Sequence, residues 1–238
     1  MVDRWVIVNA DDFGRSHGVN RGIVEAHERG IVTSASLMVR WAAAAEAAAY
    51  ARRRPELSVG LHVDLGEWAC QSGAWHPVYT VVPPDDRVAI ETEVMRQLGE
   101  FRRLMRADPT HLDSHQHRHR IEPARSVLAA LAAALGVPLR DAGDGVRYSG
   151  AFYGQTAEGE PWPDAITPEA LIRTLSGQPP GVTELGCHPG YAHDVETTYG
   201  AERAVEVATL CEPAVRTALA RLGIRLISFT APPAVLVP

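Results

Sequence analysis

Short apolar runs and longer amphipathic stretches alternate along the chain. Trp5, Val6, Ile7 and Val8 form a run of four apolar, mostly β-branched residues, which suits a strand buried on both faces. Val19, Ile23, Val24 and Ala26 then recur at helical spacing, predicting a helix over 18–29 that Gly30 stops. A strand is expected over 31–39, an alanine-rich helix over 42–54 closed by Pro55, and a third strand over 57–65. Residues 66–85 carry no clear period and are expected to be a long functional loop, its Trp68 and Trp75 arguing against disorder.

The alternation then resumes. Val88, Ile90, Val94, Leu98, Phe101 and Leu104 lie on one side of a helix over 86–106. A fourth strand over 110–115 and a helix over 123–135, opened by Pro123 and followed by Gly136, lead to a fifth strand over 137–140. A second long loop covers 141–166, a helix 168–175 and a sixth strand 182–187. One helix or two, bent near Pro213, fill 201–222, before a seventh strand over 224–229. Strands alternating with helices call for a parallel sheet. The expected fold is α/β, one domain over 1–238, built as an incomplete or distorted (β/α) barrel of about seven mainly parallel strands. An open doubly wound sheet is the second choice.

Composition narrows the chemistry. All 23 basic residues are arginine, which excludes side-chain Schiff bases and lysine-dependent phosphate loops. A net charge of −6 with scattered arginines argues against a nucleic-acid partner. Cys70, Cys187 and Cys211 are odd in number and far apart, as expected of reduced thiols in a cytoplasmic protein. No stretch reaches the roughly 20 apolar residues of a membrane span.

Polar residues gather at four strand ends: Asp11-Asp12, then His62 and Asp64, then His111 through His117, then His188. In a parallel sheet those ends share one edge, where ligands bind. Two neutral imidazoles and a carboxylate there make a ligand set for a catalytic divalent metal with open positions. Strand alternation places His111, Asp113, His115 and His117 on one face while the strand stays regular. Cys187 should point away from His188, into the core.

The strings VNADDFGRSHGVNRGI, GIVTSASLMV, GLHVDL, PTHLDSHQHRH, AFYG and CHPGY occur in that order. Together they resemble the YdjC-like carbohydrate deacetylase family. The resemblance implies a barrel-like α/β fold, one divalent metal ion (Mg2+ or Zn2+) and removal of acetyl groups from an N-acetylated sugar. It makes Asp12, His62 and His115 the metal ligands, Asp11 the catalytic base and His188 the acid. The chain departs from the family pattern at Gly190-Tyr191, where some relatives carry Ala-Phe, and that difference is expected on the pocket wall.

Around this centre, Arg140 is expected to hold Asp11 ionised. Trp68, Trp75, Tyr153 and Trp162, in the long loops, are candidates for stacking on sugar C–H faces, with His117 beside them in substrate binding. A non-haem iron oxygenase, a barrel-type phosphoesterase and a catalytically silent sugar-binding protein are the rival readings; a homodimer is expected only on base rates.

Overall fold

The computed structural model describes residues 3–71, 73–143 and 145–230. β1 (Arg4–Phe13) runs through the middle of the molecule and is followed by α1 (His17–Glu28), β2 (Ser34–Leu37), α2 (Ala44–Ala51) and β3 (Ser58–Val63). A hairpin of β4 (Gly66–Gln71) and β5 (Ala74–Thr80) precedes α3 (Arg87–Met105), β6 (Leu112–Ser114) and α4 (Ala124–Leu135). The chain continues through β7 (Val146–Ser149), α5 (Pro168–Ser176), β8 (Gly181–Cys187), α6 (Ala201–Leu210), α7 (Pro213–Leu222) and β9 (Ile224–Leu226).

Seven strands form one parallel sheet in the order β6-β3-β2-β1-β8-β7, with β9 also on β1. β1 pairs with β8 along Arg4–Ala10; its other side takes β9 at Arg4–Val6 and β2 from Asn9 onward. The sheet curls into an incomplete (β/α) barrel, as the alternation predicted.

Local chemistry explains the boundaries. Ser16 caps α1 by accepting from the Val19 N–H at 3.1 Å, and Asp86 caps α3 through the Ala89 N–H at 3.0 Å. Thr167 caps α5, whose first residue is Pro168. Gly136 and Gly223, at φ of 66° and 64°, end α4 and α7 in the left-handed conformation that glycine adopts without strain. Cys211 and Glu212 separate α6 from α7, which Pro213 opens, so the predicted 201–222 segment is two helices.

Three expectations need correcting. The 137–140 segment is not a full strand; Leu139 makes one parallel bridge to Leu112 beyond β6. The 66–85 loop contains the β4–β5 hairpin, and the 141–166 loop supplies β7. The alternation from His111 to His117 breaks after Ser114, where a 3-10 turn (His115–Arg120) begins with Gln116 and His117 at φ of 49° and 53°.

One apolar core, drawn from the strands and the helices that cover them, underlies this sheet. It includes Val6, Val8, Leu61, Leu112, Phe101 and Leu185. Cys187 belongs to it, its thiol 3.3 Å from the Asn9 carbonyl.

Candidate active site

The C-terminal ends of β1, β3, β6 and β8 open into a cavity of about 660 Å3, within the range of small-molecule sites. Asp11, Asp12, His62, His115 and His188 all line it. β1 loses regular register after Ala10, and Asp12 takes φ of 68°, a conformation that Asp tolerates better than most residues.

Asp12 Oδ1 is buried and has no hydrogen-bond partner among the described residues. It faces His115 Nδ1 at 3.0 Å and His62 Nε2 at 3.4 Å. The three side chains each offer a ligand atom within 4.8 Å of the others. A buried carboxylate oxygen left bare between two imidazole nitrogens suits a divalent cation. The outer contacts fit the same use: His62 Nδ1 donates to Asp113 Oδ1 at 2.7 Å, fixing its tautomer and leaving Nε2 for a metal. His115 Nε2 lies 3.6 Å from Glu67 Oε2 and 3.4 Å from Arg15. The other oxygen of Asp12 takes a short hydrogen bond from Arg203.

Asp11 is held differently. Arg140 donates to both its oxygens at 2.7 Å, and Asn9 Nδ2 adds a bond at 2.9 Å. Arg140 is buried and also meets Asp113 at 2.6 Å and Glu184 at 2.7 Å. Burial alone would raise the proton affinity of Asp11, but Arg140 outweighs it and holds the carboxyl below its ordinary range. For Asp12 the same contest is won by Arg203 and His115. Burial works against a proton on His62, yet Asp113 and Asp11 raise that ring to about 10. A second grouping of Asp11, His62 and Asp113 has ligand-like spacing, but Arg140 already bridges its two carboxylates.

His188 follows β8. Its Nε2 lies 3.8 Å from Asp11 Oδ2, and burial pushes the ring down to about 4. Tyr153 and Tyr199 meet it edge-on at 5.3 and 5.4 Å.

Six buried carboxyls thus surround the cavity floor: Asp11, Asp12, Glu67, Asp113, Glu184 and Glu206. Three buried guanidiniums, Arg15, Arg140 and Arg203, answer them. Burial raises Glu184 to about 7 and Glu206 to about 8, and a divalent cation among the remaining carboxylates would offset their negative charge, which burial otherwise makes costly.

Trp68, Trp75, Tyr153 and His117 line the cavity walls. Trp75 is 57% exposed, available to a ligand at the rim. Trp162, 54% exposed, is not among the lining residues. Tyr191 also lies elsewhere: its hydroxyl donates to Glu25 on α1 at 2.7 Å and its ring packs under Arg21. The Gly190-Tyr191 difference therefore belongs to the α1 contact, not to the pocket wall.

This chain matches the profile described as YdjC-like protein over residues 5–221. The chain belongs to the YdjC-like family. Among its relatives, a carbohydrate deacetylase of Geobacillus stearothermophilus is 34% identical, the match covering 95% of this chain and 97% of that protein. A chitooligosaccharide deacetylase of Klebsiella pneumoniae (strain 342) is 32% identical over 94% of this chain and 98% of its own length. A crystal structure from Enterococcus faecalis V583 shares the fold with a TM-score of 0.75 at 24% identity, covering 96% of this chain and 98% of that one. A family 4 carbohydrate esterase from Streptomyces lividans has a TM-score of 0.55 at 13% identity, covering 98% and 97%.

Nothing in the sequence signalled a role for Arg15, although it lies inside the first family string, or for Glu67, Tyr199, Arg203 and Glu206, which lie outside all of them. Arg203 and Glu206 sit on a helix whose polar residues read as solvent-facing, yet both are buried. Glu67 and Arg15 pair at 2.5 Å across the mouth of the site. Asp113 had a visible signal, two positions before His115 in the same family string, but its partner His62 lies on another strand.

Proposed function

We propose that this chain hydrolyses the acetamido group of an N-acetylated sugar or oligosaccharide, releasing acetate, with one divalent metal ion at Asp12, His62 and His115. It is a hydrolase acting on a carbon–nitrogen amide bond. The observation that carries the reading is the bare Asp12 Oδ1 facing two imidazoles, beside an Asp11 clamped by Arg140. Two imidazoles suit Zn2+ better than Mg2+ in ligand softness.

The metal supplies Lewis acidity, acidifying water and polarising the acetyl carbonyl. Asp11, kept ionised by Arg140, takes a proton from the attacking water. His188 is neutral at rest because burial holds it near 4, so the proton it delivers must arrive during turnover. Asp11 Oδ2, 3.8 Å from His188 Nε2, is the donor we assign. One proton then travels from water through Asp11 and His188 to the departing nitrogen, and the second water proton, left on the acetic acid, passes to the freed amine, giving acetate and an ammonium group. The aromatic walls, Trp68, Trp75 and Tyr153, hold the sugar rings, with His117 offering a polar contact.

The test is acetate release from a panel of N-acetylated sugars by protein loaded with Zn2+, Mg2+, Mn2+ or Co2+ in turn. Metal-dependent acetate release with at least one sugar is the expected result. No release from any sugar, with metal bound, would remove the reading. Among the described residues, no helix is long and apolar enough to cross a membrane.

A further inference from the structure

Among the described residues, the His188 imidazole has no carboxylate on its Nδ1, which is buried and without a hydrogen-bond partner. Its placement must come from elsewhere, and α6 is where the contacts lead. Glu206 Oε2 accepts the His188 backbone N–H at 2.5 Å. The carbonyl of the same residue accepts from Arg203 at 3.3 Å. Both polar groups of the His188 main chain are therefore held by residues three apart on one helix, which share a face.

The second carboxylate oxygen of Glu206 accepts a short hydrogen bond from the Tyr199 hydroxyl. That hydroxyl also accepts from the Gly154 N–H at 2.8 Å. Tyr199 stacks on Tyr153 at 4.5 Å with an interplanar angle of 6°, and both rings meet His188 edge-on. Gln155 donates to Glu202 on the same helix at 2.9 Å. Glu206 is wholly buried, and its two oxygens serve the backbone of His188 on one side and the ring that walls His188 on the other.

We infer that Glu206, acting through Tyr199, is a positioning residue that fixes both the main chain and the ring of His188 and ties them to the 153–155 segment of the cavity wall. The inference rests on the proposed role of His188 as proton donor. Glu206 does not touch the reacting atoms. Burial raises the Glu206 carboxyl to about 8; once ionised it accepts two donors at once, whereas a carboxamide keeps one acceptor and turns an N–H2 toward the other donor.

Glu206→Gln and Tyr199→Phe, made in the full chain and loaded with Zn2+, test this. For Glu206→Gln we expect kcat about tenfold lower or more, KM within twofold and zinc content unchanged, the pattern of a lost transition-state contact. Tyr199→Phe, which leaves the His188 N–H its acceptor, should give a smaller loss in the same direction. Independently of turnover, the His188 ring 15N resonances should move in both variants while those of His62 and His115 stay in place. A Glu206→Gln protein with wild-type kcat and unmoved His188 resonances would overturn the inference, as would zinc loss in step with activity. If Glu206→Gln does not fold, Tyr199→Phe decides by the same two readouts. A wild-type protein that releases no acetate sinks the proposed reaction but leaves the resonance measurement as a test of the positioning.

Discussion

Along the cavity floor, Asp11, Asp12, Asp113 and Glu184 come from strands of the parallel sheet, are buried, and each meets a guanidinium within hydrogen-bond or ion-pair distance. Along the walls, Trp75 stands half in solvent on a two-stranded hairpin and Tyr153 lies on an irregular segment. The floor spends its chemistry on fixed charges in a low-dielectric setting, where misplacement is costly. The walls supply apolar area and edges that adapt to a ligand. Changes to the floor should therefore act on kcat, metal content and stability, and changes to the walls on KM.

The sharpest test is His115→Ala, which should remove both metal and turnover, read by ICP-MS and acetate release. Asp11→Asn should keep the metal and the fold but lower kcat by about 10²–10⁴, the usual weight of a general base. Full activity in either variant would break the assignment of the floor. Arg140→Met leaves three buried carboxylates without their shared cation and should cost on the order of 3–5 kcal/mol in urea unfolding. Trp75→Ala should raise KM about two- to tenfold, matching about 0.5–1.5 kcal/mol of aromatic contact, with kcat within twofold. A kcat loss there as large as that of Asp11→Asn would erase the distinction between floor and walls.

The smallest effect concerns protons. In the metal-free protein Asp113 and Asp11 raise His62 to about 10, so its ring holds a proton at pH 7, and Asp12 raises the affinity of His115 for protons. A metal must displace them, so binding should release protons and weaken as pH falls, measured by calorimetry in buffers of different ionisation enthalpy. The sign for stability is the reverse: the contribution of a charged His62 to the metal-free fold is complete below its unfolded value near 6.5. It is lost as pH rises toward 10.

The floor was legible because strands announce themselves. Val6-Ile7-Val8 and Leu61 to Val63 leave little but a buried strand, and polar residues at their ends must converge if the sheet is parallel. Arg140 was placed near Asp11 by the same logic, although its segment makes one bridge instead of a strand. What escaped was set by contacts far apart in sequence. Arg203 meets Asp12 across 191 positions, and nothing within 201–210 distinguishes it from a solvated arginine. The hairpin escaped for a local reason. β5 is exposed almost throughout, and its sequence Ala-Trp-His-Pro-Val-Tyr-Thr carries a proline and no clean alternation. β7 was hidden likewise, a short edge strand with half-buried Tyr148 between glycine-rich stretches.

Two of the contacts that fasten the hairpin lie beside His115. Gln116 exchanges a pair of 2.8 Å hydrogen bonds with the Trp68 main chain, and Glu67 reaches Arg15. Both anchor points flank His115 on the chain or in space. A graft that exchanges this hairpin for one of another length, to admit a different sugar, must therefore reproduce an acid at position 67 and a peptide in register with Gln116. Without them, remodelling the entrance would loosen the third ligand beneath it.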